Sequence, residues 1–166
     1  MLRTSPNGDT FAVRRVCTRD DVSCERLARI FDYWHNKARG RIAPSREEIS
    51  PAELRADLPW VWLADVLDGG DDFGFRLAGE QLRRFLGPTS ATRLSECQQS
   101  PFFNNAGRVF RRCVEIREPL MVGPNTSTYE SKSFLTTSVL VLPLSSNGID
   151  ISMLFGAFEA SFFPIQ

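Results

Sequence analysis

Two runs near the end of the chain are apolar on alternate and on intervening positions alike. Phe134 to Leu144 and Ile149 to Ala160 flank Ser145-Ser146-Asn147-Gly148. An Asn-Gly step tolerates positive φ at both residues, so this spacing predicts a long β-hairpin. Alternation sets Phe134, Thr136, Ser138, Leu140, Leu142 and Leu144 on one face, with Leu135, Thr137, Val139, Val141 and Pro143 on the other. The partner run is mixed in the same way, with Ile149, Ile151, Met153 and Phe155 opposite Leu154 and Phe158. A sheet wetted on one side shows one clean polar face. These strands show none, so the pattern predicts a sheet covered on both sides.

Elsewhere the period is helical. From about Asp20 to Arg39, Leu27, Ile30, Phe31, Trp34 and Ala38 recur at three- and four-residue steps and form one apolar stripe. Thr18 with Asp21 reads as a capping box, and Lys37 and Arg39 before Gly40 as a stop. Each stripe residue contributes roughly 1.5–3 kcal/mol when buried, so the helix must dock on something. Gly40 to Pro59 is a connection with helical turns predicted near Arg46 to Ile49, behind a Ser45/Glu48 capping box, and at Pro51 to Arg55. Trp60 to Leu67, Asp68-Gly69-Gly70-Asp71 and Phe73 to Ala78 read as a second hairpin. A short helix follows over Glu80 to Leu86, closed by Gly87-Pro88.

From Pro101 a longer helix is predicted, its apolar face outlined by Phe102, Phe103, Ala106, Val109, Phe110, Cys113, Val114 and Ile116, and ended by Pro119. Leu120 to Val122 reads as a short strand before a Gly123-Pro124-Asn125 turn. Residues from Met1 to about Val16 lack periodicity. They predict a loose leader over 1–19 and one folded domain over 20–166, with Phe162-Phe163-Pro164-Ile165 tucked against it. Strands grouped at both ends with helices between them imply an α+β fold, an antiparallel sheet with helices on one face. The N-terminal helix is left for the other face, or for a partner chain.

Composition narrows the function classes. The chain has 166 residues, 42% of them apolar, enough for one well-buried domain. Acidic and basic residues balance at 20 each, so no net field draws the chain to nucleic acid or to an anionic membrane. No apolar run is long enough to span a bilayer, and the first residues do not read as a signal peptide, which makes a cytoplasmic protein the default. Cys17, Cys24, Cys97 and Cys113 match no zinc spacing, and the one histidine is His35. Cys113 falls on an apolar stripe and reads as a buried thiol.

Certain stretches resemble a known family. They are Tyr33-Trp34; Gly40-Arg41-Ile42-Ala43-Pro44-Ser45-Arg46; Ile49-Ser50-Pro51; Leu58-Pro59; Phe75-Arg76-Leu77-Ala78-Gly79; Gly87; Glu118-Pro119; and Leu142-Pro143-Leu144-Ser145-Ser146-Asn147-Gly148. In their order and spacing they resemble the PAS-domain superfamily, and in detail its bacterial stand-alone single-domain members, over about Asp20 to Ala160. Ala78-Gly79-Glu80 stands where that family often has a Gly-Thr pair, and Gly87-Pro88-Thr89 lacks its usual acidic residue. The resemblance implies a five-stranded antiparallel sheet in the order 2-1-5-4-3 and a signalling or interaction module rather than a catalyst.

Such domains sense by holding a ligand between sheet and helices, and the usual cofactors each demand particular residues there. Haem needs an axial ligand inside that space, and His35 lies on the N-terminal helix instead. Photoreactive flavin domains of this fold share an Asn-Cys-Arg-Phe-Leu-Gln motif, of which Leu94-Ser95-Glu96-Cys97-Gln98-Gln99 keeps the cysteine alone, which argues against covalent flavin. No Gly-rich phosphate loop is present. No cofactor is therefore expected. An apolar pocket would be bounded by Phe75 or Leu77, Leu82, Phe85, Phe110, Val114, Leu140 and Phe155. An empty void of roughly 100 Å³ would cost about 2 kcal/mol, and thirteen phenylalanines are ample to fill it, so a packed core is the first reading.

Arg39, Arg41 and Arg46 cluster around Pro44 and either pair with Glu47, Glu48 and Glu53 or form a docking edge. Arg76 is expected to reach Asp65. Three functions follow in order. The first is an interaction module acting as a homodimer or docking to a signalling partner such as a kinase, through Leu27, Ile30, Phe31, Trp34, Arg41 and Arg46. The second is a sensor or carrier of a small apolar ligand. The last is a small α+β isomerase or dehydratase, which would need a poised acid such as Asp65 or Glu80.

Overall fold

The predicted hairpin lies in the middle of the sheet in the computed structural model, which describes residues 2–4, 10–86, 93–96, 105–129 and 133–164. Side chains are described for 12–84, 93–96, 105–126 and 136–161. The strands are β1 (Leu2–Thr4), β2 (Thr10–Arg15), β3 (Val61–Leu67), β4 (Asp72–Ala78), β5 (Leu120–Tyr129), β6 (Ser133–Leu144) and β7 (Met153–Pro164). The helices are α1 (Glu25–Ala38), α2 (Glu80–Leu86) and α3 (Ala106–Ile116), with short 3-10 turns at Arg19–Asp21, Arg46–Glu48, Leu58–Trp60, Asp68–Gly70 and Leu94–Glu96.

The sheet runs β1-β2-β5-β6-β7-β3-β4, every neighbouring pair antiparallel. Its last five strands keep the expected order 2-1-5-4-3 read from the far edge. The difference lies at the other edge. There β2 pairs with β5 through Val13↔Val122 and Arg15↔Leu120, and β1 pairs in turn with β2. Residues 1–19 read as a leader because Pro, Gly, Asn, Thr and Arg up to about Val16 show no periodicity. β1 covers only Thr10 to Ala12, so Val13 to Arg15 form the sheet edge there, where charged residues are normal, and both arginines are anchored, Arg14 donating to the Gly123 carbonyl at 2.8 Å and Arg15 pairing with Glu118.

Register explains the two greasy faces. Leu140↔Ala157, Leu142↔Phe155 and Leu144↔Met153 share one face of the β6–β7 pair, Val139↔Phe158, Val141↔Gly156 and Pro143↔Leu154 the other. All of these are buried except Val139, which is half-buried. α1 covers the first face: Cys24 and Arg26 at its start reach Glu159, which lies opposite Ser138 on that side. α3 covers the second, where the Phe110 ring stacks on Trp62 at 4.9 Å and Trp62 lies opposite Gly156. Helices therefore occupy both faces.

Several boundaries moved for local reasons. α1 starts at Glu25 rather than near Asp20, because the Thr18/Asp21 capping box closes a separate 3-10 turn first. It ends with both Arg39 (φ 52°) and Gly40 (φ 77°) in the left-handed region, so the stop begins one residue before the glycine. Gly123-Pro124-Asn125 is no turn. The register skips from Val122 to Asn125 and the strand continues, a bulge absorbing the proline. β7 begins at Met153, because Asn147 Oδ1 accepts from both the Ile149 and Asp150 amides and widens the turn. Phe102 and Phe103 lie outside the described residues, as does Ile165.

Candidate functional site

On the α3 side of the sheet, β3, β4 and α3 bring four rings together. Trp62 stacks on Phe110 with the planes 18° apart, and Phe73 and Phe75 meet Phe110 edge-on at 5.3 and 6.3 Å. These offset and edge-to-face arrangements place each ring's positive rim on a neighbour's negative face. The stack is possible because Gly156 carries no β-carbon beneath the Trp62 indole. Cys113, one turn on from Phe110, is fully buried. Its Sγ donates to the Glu118 carbonyl at 3.3 Å, and burial pushes the thiol well above its usual range, so it stays protonated and unreactive.

This is one half of the expected pocket. The sheet separates it from the other half. Leu140 and Phe155 are buried on the α1 face, and β4 carries a bulge that sets Phe75 opposite Ala64 but Leu77 opposite Leu63, on the α1 side. Strict alternation through Arg76 had put Phe75 and Leu77 together. Because the extra residue is Arg76, Phe75, Phe110 and Val114 cannot line one cavity with Leu77, Leu140 and Phe155. Leu82 is buried in the core, and the side chain of Phe85 lies outside the described residues.

The expected docking stripe is also accounted for. Leu27, Ile30, Phe31 and Trp34 are at most 5% exposed, and Trp34 Nε1 donates to the Pro143 carbonyl at 2.7 Å. β5 begins at Leu120, opposite Val141, so Pro143 lies past its last neighbour on that side and the indole takes the place of a strand. As packed here, these four side chains serve the chain's own core. Arg26 lies 4.0 Å over the Trp60 ring and pairs with Glu159, while Asp57 takes a two-pronged contact from Arg29 at 2.7 and 3.2 Å. His35 is exposed and stacks on Phe31 at 5.7 Å.

Loop 40–50 is held tightly. Arg41 donates to the Ala38 and Lys37 carbonyls at 2.9 and 2.8 Å and to Glu48 at 2.7 Å, and Arg46 donates to the Ile49 carbonyl. Held by Arg41 and by the Ser45 amide, the Glu48 carboxyl drops to about 2. Tyr33 accepts from the Ser50 amide and donates to Glu53 at 2.6 Å; burial and that bond raise its phenol to about 12. The same loop meets the β6–β7 turn, where the Ser145 amide donates to the Pro44 carbonyl at 2.9 Å. On these two joined loops stand the large apolar side chains exposed among the described residues, Ile42 at 37% and Ile149 at 60%. Ile149 went unnoticed because the alternation assigned it to a strand.

The acids considered for catalysis are placed plainly. Asp65 pairs with Arg76 at 2.9 Å, as expected, and Glu80 is exposed and pairs with Arg84. Among the described residues no cluster of histidine, cysteine, aspartate and glutamate is arranged to hold a metal ion. No helix among them is long and apolar enough to cross a membrane.

An antiparallel sheet in this strand order, with short helices and a ring cluster on one side, defines an α+β domain of PAS topology. The sequence model of the PAS domain family matches residues 22–159, and the chain belongs to that family. PAS domains are in general sensory and interaction modules. No curated protein matches the chain.

Proposed function

We propose that the chain is a protein-interaction module of the PAS type in bacterial cytoplasmic signalling. It docks on a protein partner, a second copy or a signalling protein such as a kinase, through loops 40–46 and 145–150. The observation that carries this reading is Ile149, 60% exposed on a turn made rigid by Asn147 and Ser145. Rigid apolar groups at an interface gain from burial without a large ordering cost. Ile42 stands on the loop that the Ser145–Pro44 bond joins to this turn, and with Arg39 and Arg41 close by in the chain it supplies apolar and arginine side chains of the kind favoured at contact surfaces.

Native mass spectrometry of freshly purified protein, with and without Ile149→Glu, tests this, together with a photo-crosslinking residue placed at 149 in cells. A dimer that the substitution dissociates, or a crosslinked signalling protein, is expected. A monomer that yields no crosslink from position 149 overturns the reading. The same spectrum reports a bound small molecule as added mass.

A further inference from the structure

The segment Arg93–Glu96 lies along the outer edge of β4, the last strand of the sheet. A backbone bridge joins Arg93 to Gly74. Leu94 is 6% exposed, and its Cδ2 lies 3.6 Å from where a β-carbon on Gly107 would stand. The leucine is therefore seated on bare backbone in the first turn of α3, one turn before Phe110. Among the described residues, Arg93 also pairs with Asp68 at 3.2 Å, and most of the segment's other hydrogen bonds to the sheet converge on one carboxylate. Asp72, its side chain 11% exposed, accepts from the Ser95 amide at 3.1 Å, from Ser95 Oγ at 2.7 Å and from the Phe73 amide at 2.9 Å, with Arg93 Nη1 at 3.4 Å. Burial pushes this carboxyl up, but the Ser95 and Phe73 donors and Arg93 outweigh it, and it stays below its usual range.

A carboxylate at the first residue of a strand has no need of a partner 23 residues away. Had it served the β3–β4 turn alone, the Phe73 amide would have sufficed. A short segment with one seated apolar side chain sits at the low-stability end of a fold, where pieces open on their own. Hydrogen bonds to a buried charge are among the strongest available to hold it.

We infer that Asp72 is a latch: it keeps Arg93–Glu96 closed against β4 and the first turn of α3, and its release opens the Phe73–Phe110 ring platform while the rest of the sheet stays folded. The latch is independent of the docking loops, which lie on the turns at Pro44 and Ser145.

Amide hydrogen exchange on the full chain tests it, comparing wild type with Asp72→Asn and Ser95→Ala. Asp72→Asn keeps the shape but removes the charge; Ser95→Ala removes one donor from an exposed residue and spares the fold if the first variant is too damaging. Loss of a charge-assisted bond predicts exchange faster by about tenfold or more at Leu94 to Glu96 in Asp72→Asn, and by a smaller factor in Ser95→Ala. Amides of β6 and β7 should keep their protection. The dye 8-anilinonaphthalene-1-sulfonate should brighten with the variants at unchanged far-UV circular dichroism. Unchanged exchange at Leu94 to Glu96 in both variants overturns the latch. So does a proportional loss of protection in β6 and β7, which would make Asp72 an ordinary part of the global fold.

Discussion

Gly156 is the point where the ring cluster can be challenged most directly. A β-carbon there would lie 2.6 and 2.8 Å from Trp62 Cζ2 and Cε2, and closer still to the Leu140 carbonyl oxygen. Carbon atoms in contact prefer about 3.5–4.0 Å, so the indole or the strand must move by about 1 Å. Neither has room: Trp62 is 2% exposed and stacked on Phe110, and Leu140 is 0% exposed in a central strand. Overpacking a tight core costs typically 1–3 kcal/mol, and with backbone as one of the obstacles Gly156→Ala should cost about 3 kcal/mol or more. In a domain of this size that is a drop in Tm of about 6–12 °C. Urea unfolding followed by far-UV circular dichroism measures it, and Trp62→Phe in both backgrounds isolates the ring. The smaller ring should recover part of the loss, with a coupling of about 1 kcal/mol. Costs that add to within about 0.5 kcal/mol would show that the indole does not lie across Gly156.

Two other predictions concern the α1 side. Trp34→Phe deletes the donor to the Pro143 carbonyl, and a buried acceptor left unpaired costs about 1–3 kcal/mol, with the lost ring volume on top. A change below about 1 kcal/mol in the urea midpoint would mean that water or another donor serves that carbonyl. Glu48 titrates near 2 when folded, below its usual 4.5, because Arg41 and the Ser45 amide hold its charged form. Its contribution is therefore present above about 4.5 and fades as pH falls toward 2. Glu48→Gln should be less stable than wild type at neutral pH, with the gap closing across that window; a gap independent of pH refutes the pairing.

Where the chain's local rules agree with one another, residues and fold correspond closely. Both hairpins, both capping boxes and the short α2 follow from turn chemistry and periodicity, because those signals act within a few residues. The failures share a different cause: each depends on a partner far along the chain. Residues 10–15 look shapeless until β5 offers them an edge. The inserted Arg76 leaves no local mark, yet it sends Phe75 and Leu77 to opposite faces and divides the expected pocket. Asp72 and Ser95 are unremarkable residues in the sequence and meet only through tertiary contact. Gly156 could have signalled the Trp62 approach, since a glycine inside a strand often marks something crossing close above it.

The location of any contact surface follows from magnitudes. Exposing the α1 stripe to a partner would require lifting Leu27, Ile30, Phe31 and Trp34 off the sheet, all buried to 5% exposure or less. At roughly 1.5–3 kcal/mol per side chain, that forfeits about 6–12 kcal/mol, before the Trp34–Pro143 bond is counted. Whole domains hold together by only about 5–15 kcal/mol. Peeling α1 away would then cost nearly as much as unfolding the domain, and a partner would have to supply it all before gaining any affinity. Ile42 and Ile149 need no such rearrangement. With both faces of the sheet covered by the chain's own helices, the proposed docking falls to the loops.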